Sequence, residues 1–200
     1  ALGAVAMDEA TRSVNAPLRV AVLGAGLQAF HHARTWAATR PIASFRIWAR
    51  RTEAAEAFAR DLGRDTQIEA TAAASAEEAV EGADAVLGVT RSAQPLVSGA
   101  ALAAAGYLAT VGPKFGGRHE LPAAAYEGAE VLLSDAPDQC ARFEIDSGPL
   151  PGGRRAAEMV ALADVLAGKV ALPRAGRILF VSEGLAGSEV ALLAALHARG

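Results

Sequence analysis

Short apolar runs alternate along this chain with longer segments whose apolar residues recur at helical spacing. That alternation predicts successive βα units and an α/β fold built on a mostly parallel sheet. Strands are expected at residues 19–23, 44–48, 85–89, 108–111, 131–134 and 177–181, with a weaker one at 67–70. Helices are expected at 27–39, 53–62, 76–80, 99–104, 123–126, 137–142, 158–167 and 189–199, and an Ala-rich, helix-like segment covers 1–13. Ser75-Ala-Glu-Glu78 has the form of a capping box, and Gly82 suits a stop shortly after that helix. Gly168 would close the helix at 158–167. The Gly- and Pro-rich stretch from Ser147 to Gly153 reads as a loop at the edge of the sheet domain.

Composition narrows the picture. At 200 residues, one domain with a small appendage is expected. Half of the chain is apolar and Ala-rich with few aromatics, so helices should pack closely on the sheet. A net charge of −3 gives no reason to expect nucleic acid or a membrane surface as partner. No apolar run reaches the ~18 residues of a membrane span. A single cysteine, Cys140, allows no internal disulfide and suits a reducing, cytoplasmic setting. Both ends fall at helix-like segments, and the expectation is of a domain cut from a longer protein. Residues 14–150 would form a Rossmann-type, doubly wound dinucleotide-binding domain, with helices on both faces of the sheet. Residues 1–13 and 151–200 would be flanking segments that complete it and lead to an absent part.

The candidate chemistry begins at Gly24-Ala-Gly26-Leu27-Gln28-Ala29, between the first strand and its helix. Such a turn presents backbone N–H groups to a pyrophosphate. Gly24 permits the turn, Gly26 lets phosphates approach the backbone, and Ala29 is small enough for close helix–strand packing. An ordinary βα turn satisfies the same six positions. The second strand ends in Arg50-Arg51-Thr52. NAD-binding relatives of this fold usually carry an acidic residue there, about 20 residues past the glycines. Two guanidinium groups and a hydroxyl suit a 2′-phosphate instead, which favours NADP(H) over NAD(H); a solvated basic pair is the alternative. Thr90 and Ser92 at the fourth strand, and Val111 and Gly112 at the fifth, would face the same crevice, or cap the helices that follow. The two hydroxyls could bond ribose or phosphate, and Gly112 would let the backbone pass close to a nicotinamide.

Taken together, Gly24-x-Gly26-x-Gln28-Ala29-x-x-His32, Ile47-Trp48-x-Arg50, Val89-Thr90, Val111-Gly112 with Glu120-Leu121, Asp135, Ser147-Gly148 and Phe180-x-Ser182-x-Gly184-x-Ala186 resemble the ornithine cyclodeaminase/mu-crystallin family. The resemblance covers nearly the whole chain in the right order. It implies a longer parent with an N-terminal substrate and dimerisation domain, and a homodimer. It also implies Gly24, Gly26, Leu27 and Gln28 at the pyrophosphate and Arg50 with its neighbours at the adenosine ribose or its phosphate. Thr90, Val111 and Gly112 would lie on the route to the nicotinamide, and Ser182 and Glu183 near the carboxamide or substrate. In the cyclodeaminases an Asp after the fifth strand acts as acid/base. Counting back from Glu120-Leu121, this chain has Lys114 there, a swap that leaves a general acid or a carboxylate binder but no carboxylate base. Glu189 stands where the family usually has Asp.

Other candidates carry less. His31 and His32 are adjacent and face different sides of a helix, so they form no paired metal site; His32 is expected to be a structural hydrogen-bonder. His119 and His197 lack metal-ligand spacing, and no metal is expected. Cys140 reads as a packed thiol, and Asp135 as a residue that orients a loop. The expected activity is hydride transfer between a nicotinamide cofactor and a small amino acid or its cyclic imine. The rival is a non-catalytic, cofactor-bound small-ligand binder like the crystallin branch.

Overall fold

The computed structural model describes residues 2–115 and 117–184, and beyond them residues 190, 194, 197 and 198. Of the predicted last helix at 189–199, positions 190, 194 and 197 are helical and 198 is a turn; its other residues, Glu189 among them, and Ala186 of the family pattern lie outside the described residues. The chain opens with helix α1 (Leu2–Thr11) and then runs strand β1 (Leu18–Leu23), α2 (Leu27–Thr39), β2 (Ile42–Trp48), α3 (Thr52–Thr66), β3 (Ala70–Ala72), α4 (Ala76–Val80) and β4 (Ala85–Gly88). It continues through a 3₁₀ turn (Ala100–Leu102), β5 (Tyr107–Thr110), a hairpin of β6 (Lys114–Phe115) and β7 (Arg118–His119), α5 (Ala123–Glu127), β8 (Val131–Ser134) and α6 (Pro137–Ser147). Two further 3₁₀ turns, β9 (Val160–Ala161), α7 (Leu162–Leu166) and β10 (Ile178–Val181) complete the described part.

Eight strands form one sheet in the order β3-β2-β1-β4-β5-β10-β8-β9, and every pairing is parallel. This is the doubly wound architecture expected from the alternation. Alternate strand residues feed two separate cores. Val20, Val22, Tyr107, Ala109, Ile178 and Phe180 face α1, α2, α3 and α7. Ala21, Leu23, Leu108, Leu179 and Val181 face α4, α5, α6 and the 3₁₀ turns. Both faces are covered, so the inner strands are apolar throughout rather than alternating with polar residues. Trp36 and Met7 lie fully buried on the first face, and Tyr126 on the second.

Several boundaries move for identifiable reasons. The weak strand forms at Ala70–Ala72, because its partners on β2 are Phe45, Arg46 and Ile47. Ser75 Oγ accepts from the Glu78 N–H at 3.0 Å, while the Glu78 carboxylate reaches back to the Ala74 N–H at 2.9 Å. The helix expected at 99–104 is a single 3₁₀ turn. The helix expected at 158–167 is replaced in its first half: Val160 and Ala161 pair with Leu133 and Ser134 as β9, and only Leu162–Leu166 is helical. The supposed loop from Ser147 starts one residue later, because α6 runs through Ser147 and stops at Gly148 with φ +81°.

Candidate functional site

The sheet order reverses beside β1, with β2 on one side and β4 on the other. Ligands of open α/β sheets bind at such a switch point, beyond the carboxyl ends of the strands. A cleft of about 970 Å³ lies there.

Its floor is the turn after β1. Gly24 has φ +120°, and a Cβ on it would stand 2.3 Å from the Val89 carbonyl oxygen, so glycine is required by both conformation and space. Gly26 is the N-cap of α2, with no side-chain cap on the helix. A Cβ built on Gly26 meets nothing within 4 Å. The first-turn amides of α2 have no intrahelical acceptor and carry the positive end of the helix dipole. They open into the cleft with Leu27, which is 75% exposed, and Gln28.

The β2 side of the cleft carries Trp48, Ala49, Arg50 and Arg51. Both arginines are exposed, and among the described residues neither makes an ion pair. Thr52 begins α3 and does not line the cleft. Arg91, at the end of β4, also lines it and is exposed. Arg91 sits between Thr90 and Ser92, and its position at this strand end is the one local signal that marks it. Among the described residues no Asp or Glu lines the cleft, and three guanidinium groups face it.

The opposite wall is built differently. Thr90, Ser92, Val111 and Gly112 line it as expected, but their polar groups are already engaged. Glu120, 0% exposed, accepts at Oε2 from the Thr90 N–H and hydroxyl, both at 2.8 Å. At Oε1 it accepts from the Thr110 hydroxyl and the Gly112 N–H, both at 2.8 Å. Thr90 Oγ1 also accepts from the Ser92 N–H, and Ser92 Oγ donates to the Gln94 carbonyl. The protons of the two hydroxyls expected to bond ribose or phosphate are thus directed to other groups of the chain. Gly112 acquires a reason other than cofactor approach: a Cβ there would lie 2.5 Å from both Glu120 Oε2 and the Thr90 carbonyl oxygen. A Cβ on Gly88 would meet the same carboxylate at 2.9 Å. The β6–β7 hairpin returns the chain so that the Glu120 N–H bonds the Pro113 carbonyl, which aims the carboxylate under both strand ends. In the sequence Glu120 stands out only as part of the Glu120-Leu121 pair. Its partners at 90, 110 and 112 come together only through the fold.

Lys114, Ser182 and Glu183 do not line the cleft. Lys114 opens β6 and is 8% exposed. Its Nζ donates to the Ser182 carbonyl at 2.8 Å and lies 3.3 Å from Glu183 Oε1. Burial pushes the Glu183 carboxyl above its ordinary value, and the Lys114 charge partly opposes that rise. Asp135 orients this loop, as its position at a strand end suggested: it accepts from the Ser182 hydroxyl and from the Glu183 and Gly184 N–H groups at 2.8–3.1 Å. Nearby, burial pushes the Cys140 thiol up to about 12, which suits a packed thiol. His32 packs against Gly3 and burial lowers its basicity. Among the described residues its ring makes no hydrogen bond, contrary to expectation. His119 Nδ1 lies 2.8 Å from the Leu121 carbonyl oxygen.

Open amides at a helix N-terminus, space above Gly26 and unpaired guanidinium groups at the β2 edge form a donor set that fits a dinucleotide. Comparison with known proteins agrees with this geometry. Residues 10–199 match the ornithine cyclodeaminase/mu-crystallin family. An uncharacterised cyclodeaminase of Sinorhizobium fredii is 31% identical over 122 residues, which cover 61% of this chain and 37% of that protein. The ketimine reductase mu-crystallin of Rattus norvegicus is 30% identical over 145 residues, covering 65% of this chain and 45% of the relative. This chain thus spans less than half the length of either. Among solved structures, a probable ornithine cyclodeaminase from Bordetella pertussis superposes with a TM-score of 0.78 at 27% identity, covering 95% of this chain and 62% of that one. An archaeal alanine dehydrogenase dimer with bound NAD shares the fold, with a TM-score of 0.79 at 20% identity over 96% of this chain and 60% of that one.

Proposed function

This chain belongs to the ornithine cyclodeaminase/mu-crystallin family, and on that premise we propose that it is the dinucleotide-binding part of a longer NAD(P)-dependent oxidoreductase. The reaction would be hydride transfer to or from the α-carbon of a small amino acid or its cyclic imine. The observation that carries the reading is the cleft itself, where free helix amides and three arginines converge and, among the described residues, no acidic residue is in the lining. Relatives with cyclodeaminase and ketimine reductase names support the substrate class.

The nicotinamide group would supply the hydride chemistry; this chain would bind and orient it. Gly24, Gly26, Leu27 and Gln28 would hold the pyrophosphate. Arg50 and Arg51 would bind a ribose 2′-phosphate, which makes NADP(H) the favoured cofactor, and Arg91 adds to the positive field. Val111 and Gly112 would bound the nicotinamide end. The substrate-binding residues would lie in the rest of the protein, which we take to be a cytoplasmic homodimer. Titration calorimetry of this chain with NADPH and NADH tests the reading. Binding of NADPH tighter than NADH supports it, and no binding of either overturns it.

A second reading is a cofactor-bound protein that holds a small ligand without turning it over. The specific observation in its favour is Lys114, held away from the cleft lining by Glu183 and the Ser182 carbonyl. Lys114→Ala in the complete protein separates the two. If Lys114 is the general acid, turnover of cyclic imines with NADPH falls by ~10²-fold with little change in cofactor affinity. Absence of any turnover in the unmodified protein across a panel of imines and amino acids favours the binder.

A further inference from the structure

Glu120 is a carboxylate with no accessible surface and, among the described residues, no cationic partner. Its four hydrogen bonds come from two backbone amides and two hydroxyls, all uncharged. Four donors meet its two oxygens, the arrangement of an acceptor-only carboxylate, and none of them carries a charge that would neutralise it. Two of the donor residues, Thr90 and Gly112, line the cleft. The negative charge therefore sits one hydrogen bond beneath the cleft surface, at the ends of β4 and β5.

That end is opposite Arg50 and Arg51, which stand beyond β2 on the other side of β1. If the arginine edge takes the adenosine half of a dinucleotide, as proposed above, the nicotinamide half falls over the Glu120 wall. The nicotinamide ring is neutral while it carries its hydride. It would become a cation when the hydride, with both bonding electrons, leaves for the carbon of a C=N group already protonated at nitrogen, whose C=N π electrons then become the nitrogen lone pair of a neutral amine. A buried anion below the ring attracts only the cationic form, because coupling through a low-dielectric wall is far less screened than through water.

We propose that Glu120 is a fixed counter-charge that biases the cleft toward the oxidised, positively charged nicotinamide and so eases hydride departure from the reduced form. The inference rests on the dinucleotide reading of the cleft, and it concerns charge rather than shape. Position alone, as in a purely structural clamp, would alter the affinities of oxidised and reduced cofactor together.

The test compares dissociation constants of NADP⁺, NADPH and adenosine 2′,5′-bisphosphate for this chain, by calorimetry. Glu120→Gln keeps the size and removes the charge. It should weaken NADP⁺ relative to NADPH by about fivefold and leave the adenosine fragment unchanged. Thr110→Val, which deletes one hydrogen bond but keeps the charge, should hold the NADP⁺/NADPH ratio within about twofold. An unchanged ratio in the Gln variant overturns the counter-charge while leaving the dinucleotide reading intact. Should the Gln variant not fold, the unmodified chain decides: a preference for NADPH of more than about tenfold over NADP⁺ would also overturn it. Failure of every dinucleotide and of the adenosine fragment to bind removes the underlying reading, and the inference with it.

Discussion

The two walls of the cleft solve opposite problems. On the β1–α2–β2 side, polar groups are left without partners: amides at the start of α2, guanidinium groups at Arg50 and Arg51, and open space above Gly26. On the β4–β5 side, Arg91 apart, the hydroxyls of Thr90, Ser92 and Thr110 and the Gly112 amide are already bonded, and a single buried carboxylate ties the two strand ends together. Unsatisfied donors at a surface are inexpensive, since water serves them until a ligand arrives. Satisfied donors in the interior fix positions. The first wall is thus equipped to bind and the second to hold geometry, and mutations in the two should have different signatures.

The largest effect is expected at the second wall. Glu120→Ala leaves two part-buried amides and two hydroxyls without their acceptor. At ~1 kcal/mol or more for each lost bond, chemical denaturation should report a loss of about 3–5 kcal/mol. A loss below ~1 kcal/mol would show that this wall is no more built than the first. Gly26→Val reverses the pattern. Its side chain fills the space over the helix amides, so dinucleotide affinity should fall at least ~100-fold while unfolding free energy changes by less than ~1 kcal/mol. Unchanged affinity in calorimetry would remove the first wall from the binding site. Replacing Arg50 and Arg51 by Ala should erase a preference for NADPH over NADH of roughly 1–3 kcal/mol and leave NADH binding nearly as it was.

The smallest effect lies outside both walls, at Glu183. Burial raises its folded-state pKa above the ordinary value of 4.5. The folded state therefore holds its proton more tightly than the unfolded state. Stability contributed at this site is greatest below pH 4.5 and declines as pH rises through the raised value. Relative to the unmodified chain, Glu183→Gln should gain stability as pH rises from 4 to 7, measured by denaturation at each pH. A relative loss over that interval would mean that the Lys114 ion pair outweighs the burial cost.

The first wall was largely readable in the sequence, because its signals are local. The glycine turn and α2 follow each other directly, and α2 forms at Leu27–Thr39 as its apolar spacing predicts. β8 and α4 also fall where expected. The second wall was not readable, because it depends on residues distant in the chain. Nothing near Glu120 announces that Thr90 and Thr110 will donate to it. The surroundings of Lys114 were unreadable for a related reason: counting along the loop gives its position, whereas its pairing with Glu183 comes from the fold that the β6–β7 hairpin builds. At 160–161 the apolar spacing is helical, but the exposed edge of β8 offered hydrogen bonds that tertiary pairing took instead.

One strand makes the order of assembly matter. β10, at Ile178–Val181, lies between β5 and β8, which do not touch each other in the sheet. A chain emerging from the ribosome can pair β1 through β5 as each strand appears. The two strands β8 and β9, however, have no place to dock until residues beyond 177 are free. Until then β5 and β8 each present an unpaired, apolar edge, a known route to association with other chains. Truncation before β10 should therefore yield an aggregating product rather than a smaller soluble domain, even though the cleft residues through Gly112 would all be present.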